Sequence, residues 1–156
     1  MIYTKKVLGL EVINLSDGKK IGKIKEVIFD NKSKKVVAIE IYEKTGLWKK
    51  TSDILPIEEL KGMGKDSVTV DEPKTVEEIN KGLTNFKWSS LSGRKVIEED
   101  GSIIGTVSDI SFKFPEGDIV EVEVNQAKSK VLASKETVSI ERVRAIGEDA
   151  IIVYNE

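Results

Sequence analysis

The chain of 156 residues contains no cysteine and no histidine. Without thiols there are no disulfides, no iron–sulfur ligands and no cysteine nucleophile. Without imidazole, the commonest zinc and haem ligand and the commonest general base are missing too. Carboxylate pairs, Ser–Lys or lysine chemistry are what remain for catalysis. Proline is scarce, at three residues, and aromatics make up only 6%. No apolar run approaches the ~20 residues of a membrane-spanning helix. Residues 1–8 hold no signal-peptide apolar segment, so a cytoplasmic location is expected. The formal net charge of −2 excludes a chain that is basic throughout, as many nucleic-acid binders are.

What is present is a repeat. Residues 17–29 read DGKKIGKIKEVIF, and residues 100–112 read DGSIIGTVSDISF. Asp17 maps on Asp100, an offset of 83 residues, and at that offset residues 17–72 align with 100–155 without a gap. Identity is retained at 12 of those 56 positions, yet apolar sites match apolar sites almost throughout. Register kept at such low identity indicates duplication followed by divergence. A hydrophobic content of 39% supports packed cores, and 33% charged residues supply a solvated surface.

Each copy reads as a set of short strands. Residues 7–15 (VLGLEVINL) form an apolar, β-branched strand in which Gly9 marks a bend. Asp17-Gly18 signals a tight turn, and residues 21–29 make the next strand. The apolar pairs Ile24/Val107, Val27/Ile110 and Phe29/Phe112 point inward, and the step of three from Ile24 to Val27 predicts a β-bulge near Lys25-Glu26 and Ser108-Asp109. Val37, Ile39 and Ile41, with Val120, Val122 and Val124, alternate, so Ala38, Glu40, Glu121 and Glu123 are expected to face water. Pro56 argues for a strand end followed by a short helical turn over residues 54–60. Closing strands follow over residues 67–70 and 150–153. Each copy has five or six strands, which makes two domains, 1–72 and 91–156, rather than two halves of one. In the linker, residues 73–90, Thr75 and Glu78 form a capping box that predicts a helix from Val76 to about Gly82. Phe86 and Trp88 are expected to pack on a domain and to fix the relative orientation.

An apolar strand with Gly, then D-G-x-x-I-G-x-[IV]-x-[ED]-[VI]-x-F, an alternating strand, and a closing ILPIEEL…G-x-D-x-V-x-V together resemble the PRC-barrel family. The resemblance covers nearly the whole chain. It departs where Ser139 replaces Pro56 and where the middle of the second copy is unrecognisable. The resemblance implies a mainly β fold of two tandem small antiparallel β-barrels, joined by a short helical linker. The family includes the cytoplasmic domain of the photosynthetic reaction-centre H subunit and the C-terminal domain of a ribosome maturation factor, and it has no shared catalytic site. It implies a scaffold that contacts other macromolecules.

The glycines Gly18 and Gly22 lead into a strand, not into a helix as a phosphate-binding loop requires, and read as turn and bulge devices. Glu58-Glu59 with Asp53, or Glu98 to Asp100, lie beside turns and read as solvated carboxylates rather than an acid/base pair. Residues 1–72 carry 14 Lys against 12 acids, a net of +2; residues 91–156 carry 8 basic against 13 acidic residues, a net of −5. Lys32, Lys34, Lys35, Leu47, Trp48, Lys49 and Lys50 make a basic, aromatic-bearing candidate surface for a partner, against which stands a solvated face or a charge match between the domains. The expectation is a non-enzymatic adaptor whose partner is another protein, with no cofactor, metal ligand set or catalytic residue. An RNA- or ribosome-assembly-associated protein is the alternative, and a small-molecule or ion-binding domain a further one. Homo-oligomerisation stays open.

Overall fold

The computed structural model describes residues 1–45, 49–77, 85–126 and 134–155. In the first half these form β1 (Ile2–Tyr3), helix α1 (Thr4–Val7), β2 (Glu11–Asn14), β3 (Lys20–Asp30), β4 (Lys35–Thr45), β5 (Lys49–Pro56), a 3-10 turn (Ile57–Glu59), β6 (Leu60–Met63) and β7 (Ser67–Val70). The second half repeats the series as β8 (Asn85–Lys87), α2 (Trp88–Leu91), β9 (Lys95–Glu98), β10 (Ile103–Phe112), β11 (Ile119–Gln126), β12 (Ser134–Ser139), a 3-10 turn (Ile140–Arg142), β13 (Val143–Ile146) and β14 (Ala150–Val153). The strands build two equivalent sheets, ordered β5-β4-β3-β2-β7-β6 and β12-β11-β10-β9-β14-β13. Pairing is antiparallel except for β2 with β7 and β9 with β14, which run parallel.

The predicted bulges are present. Register shifts between Ile24 and Glu26 in β3 and between Val107 and Asp109 in β10, which turns the apolar residues on both sides of the shift onto the core. Gly22 lies where β3 crosses β4 so closely that a Cβ would stand 2.9 Å from the Tyr42 carbonyl oxygen. Phe29, Ile39, Leu55 and Val68 fill one barrel, and Phe112, Val122, Val138 and Ile151 fill the other, all essentially without solvent contact.

Each sheet takes its seventh strand from the opposite half. β1 pairs with β10, Ile2 opposite Phe112, and β8 pairs with β3, Phe86 opposite Phe29. The start of the chain is therefore a strand, Ile2–Tyr3, and a helical turn, Thr4–Val7, seated on the second barrel. Thr4 is fully buried and donates to the Ile110 carbonyl at 2.7 Å. Phe86 and Trp88 are buried, and the apolar residues of both barrels join in one contiguous cluster that includes Val7 and Leu91.

Three expectations are corrected. Val7 belongs to α1, and the strand expected over residues 7–15 is confined to Glu11–Asn14, because Gly9 adopts a left-handed φ of 83° that ends the helical turn and reverses the chain. Upstream of the Asp-Gly turns the offset is 84, as Val12 and Val96 show, so the first copy has one extra residue between β2 and Asp17. Ala38 and Glu40 do not face water; they are buried because residues 75–77 and β8 cover that face of the first sheet. Within the linker, Val76 is bridged to Ile54 as extended chain rather than opening a helix, and residues 78–84, where the rest of that helix would fall, lie outside the described residues. The linker's helical turn is α2, beginning at Trp88.

Candidate partner-binding surfaces

The two barrels meet along an approximate two-fold relation between the copies. Lys35 and Asp118, equivalent at the offset of 83, bridge to each other, and the bonds flanking them are reciprocal: Val36 N donates to the Gly117 carbonyl at 2.8 Å, and Ile119 N to the Lys34 carbonyl at 3.1 Å. Lys34 and Gly117 hold the same turn position with left-handed φ of 54° and 89°. A Cβ on Gly117 would overlap the Val36 carbonyl oxygen and stand 3.1 Å from Ile57 Cδ1. The acids just past the bulges complete the relation. Asp109 Oδ1 accepts from Lys5 N in α1 at 3.2 Å, and Glu26 Oε1 accepts from Ser89 N in α2 at 3.0 Å. A carboxylate at the first turn of a helix satisfies donors that have no partner within the helix.

This joint contains two of the sequence's candidate contact residues. Lys34 Nζ donates to the Val143 carbonyl at 2.6 Å, and Lys35 pairs with Asp118 at 3.6 Å. Lys32 is exposed on the same turn. Lys49 and Lys50 place their backbone in β5 opposite Thr45 and Lys44. Leu47 and Trp48 lie outside the described residues. Glu58 is exposed, and so is Asp100, whose carboxyl is held below its ordinary value by the backbone and side chain of Ser102.

The outer face of the first barrel was not legible as a site. Glu40 is buried there, with Lys87 Nζ at 2.9 Å and Lys25 Nζ at 3.8 Å. Burial pushes the Glu40 carboxyl up, but hydrogen bonds from Lys87 and Ser52 and the charges of Lys87 and Lys25 outweigh it and leave the pKa below 4.5. Above it, a hollow of about 640 Å³ is lined by Glu40, Ser52, Asp53, Thr75, Glu77 and Lys87. The signal available in sequence was the retention of Glu at 40 and 123. A second hollow, about 350 Å³, lies between Lys20, Gly22, Lys23, Tyr42 and Glu43. Among the described residues no cluster of carboxylates is arranged to hold a metal ion, and no helix is long and apolar enough to cross a membrane.

The geometry defines a class: two small bulged β-barrels, each completed by a strand from the other's half of the chain. The family profile of the PRC-barrel domain matches residues 1–77 and again residues 83–155. The chain therefore belongs to the PRC-barrel domain family, as a tandem of two such domains. Comparison with curated proteins finds no match.

Proposed function

We propose that this protein is a cytoplasmic, non-enzymatic adaptor that binds another macromolecule, in the first place a protein, through its barrel surfaces and strand edges. The observation that carries the reading is the joint. Reciprocal strand exchange, the Val36–Gly117 and Ile119–Lys34 bonds and the buried helix contacts of Glu26 and Asp109 hold the barrels in one orientation. Among the described residues, β6 in one barrel and β12 and β13 in the other lie at the ends of their sheets with no further strand beyond them, while residues 75–77 run along the outward edge of β5. An unpaired strand edge is a template for an added strand, and a fixed pair of such edges suits simultaneous contact. Affinity capture from native cytoplasm at moderate salt, with identification by mass spectrometry, tests this. A reproducible macromolecular partner is expected. No partner, together with a tight ligand in a small-molecule screen, would remove the adaptor reading.

The exposed Lys20 and Lys23 that line the smaller hollow, with Lys19 exposed beside them in the chain, support a second reading, contact with RNA through the first barrel. It predicts RNA binding that falls steeply with salt. Because Lys34 and Lys35 are engaged in the joint, charge reversal of Lys19 and Lys23 is the more direct probe, and RNA binding unmoved by either salt or these changes would remove the reading.

A further inference from the structure

We propose that the outer face of the second barrel, along β12, takes up an extended peptide carrying lysine or arginine at alternate positions. This deepens the adaptor reading and rests on it. The first barrel displays the same face in its filled state. There residues 75–77 lie along the outward edge of β5, with Val76 N donating to the Ile54 carbonyl at 2.9 Å, and Lys87 and Lys25 meet the buried Glu40. In the second barrel the position equivalent to Ile54 is Thr137, and among the described residues no backbone group bonds the outward edge of β12.

The charges diverge in the same place. Glu40 is retained as Glu123, and Ala38 becomes a second acid, Glu121; both residues are half-buried. Both cations are lost, Lys25 being replaced by Ser108 and Lys87 by Tyr3, which occupies the corresponding place opposite Ser111. Lys135, exposed and diagonal to Glu123 across the ladder, forms no ion pair with it. Two half-buried acidic residues that face, among the described residues, one cation without an ion pair favour an occupant that brings positive charge. Nucleic acid is the wrong sign for this face.

The edge is prepared for main-chain recognition. Thr137 stands opposite Glu123 as Ile54 stands opposite Glu40, so by the alternation of the ladder its N–H and C=O point outward, as those of Ile54 do towards Val76. An added strand would supply main-chain hydrogen bonds, and its alternate side chains would lie over Glu121 and Glu123.

The test uses the full chain and a fluorescein-labelled peptide, TKVKVKT, with TEVEVET as the control, read by fluorescence polarisation. Two variants separate charge from edge: Glu121→Lys with Glu123→Lys, and Thr137→Pro, which removes an outward donor without touching the bonds to β11. Saturable binding of TKVKVKT, with TEVEVET and both variants at least about tenfold weaker, is expected. Circular dichroism melting establishes that each variant is folded. No binding, or binding that neither variant weakens, overturns the proposal. Loss on charge reversal with Thr137→Pro unaffected also overturns it, because contact is then electrostatic without strand addition. Self-association that Thr137→Pro abolishes, seen by sedimentation, assigns the edge to a second copy and overturns the peptide. A native partner captured equally by wild type and both variants sinks this site while leaving the adaptor reading intact; absence of any captured partner sinks the adaptor reading itself.

Discussion

Gly117 offers the sharpest test of the joint between the barrels. Its φ of 89° is left-handed, and a Cβ there would overlap the Val36 carbonyl oxygen, the neighbour of the amide that bonds to Gly117 itself. Gly117→Ala therefore carries two costs. Left-handed backbone costs about 1–2 kcal/mol for a residue with a Cβ. Separating the strands at the joint forfeits the Val36–Gly117 and Ile119–Lys34 hydrogen bonds, about 1 kcal/mol each. The sum is about 3–4 kcal/mol. Gly101 is the matched control, since its φ is 94° but its Cβ would meet nothing within 4 Å. Gly101→Ala should cost only the backbone component. The excess of about 2 kcal/mol in Gly117→Ala is the joint's share, worth roughly 4–8 °C in melting temperature for a chain of this size. Lys34 shows that a side chain can be carried at the equivalent turn position, so the cost at Gly117 arises from what it faces, not from the turn alone. Calorimetric melting measures the total, and amide exchange at Val36 and Ile119 locates it. Equal destabilisation by the two variants, with those amides still protected, would refute the reasoning.

Glu40, with its pKa depressed, contributes stability that is present above the unfolded value of 4.5 and lost as pH falls through the folded value. Lys87→Met removes the principal cause of that depression, so urea unfolding across acid pH should show the loss beginning at higher pH than in wild type; an unchanged profile would contradict the pairing. Phe29 and Phe112 are equivalent and fully buried, so Phe29→Ala and Phe112→Ala should each cost about 3–5 kcal/mol in denaturant titrations. Lys35→Ala should change stability by less than about 1 kcal/mol, since the Lys35–Asp118 pair is half-exposed and screened. Lys34→Ala removes the donor to the Val143 carbonyl and should cost about 1 kcal/mol, measured by the same titration.

The repeat carried most of the fold in plain view. Comparing DGKKIGKIKEVIF with DGSIIGTVSDISF placed the bulges, because a step of three between inward apolar residues can be made by a strand only with one extra residue. Pro56 located the 3-10 turn for a similarly local reason. What was illegible depends on contacts between distant segments. Nothing in Ile2-Tyr3 states that its strand partner is Phe112, more than a hundred residues away, and a polar lead-in gives no period to read. Glu40 looked solvent-facing because alternation reports two faces of a sheet and is silent about what covers the second one. Lys34 and Lys35 read as a free basic cluster for the same reason; the acceptors that engage them, Val143 and Asp118, belong to the other copy. The acids past the bulges, Glu26 and Asp109, were visible as a retained charge, but their role needed the helical turns α1 and α2 to be placed against them.

The adaptor reading stands on the two barrels being one body, and backbone ¹⁵N relaxation measures that most directly. A single rotational correlation time for amides of β3 and β4 and of β10 and β11, appropriate to the whole 17.3 kDa chain, is the predicted result. Two shorter, separate correlation times, one for each barrel, would contradict it.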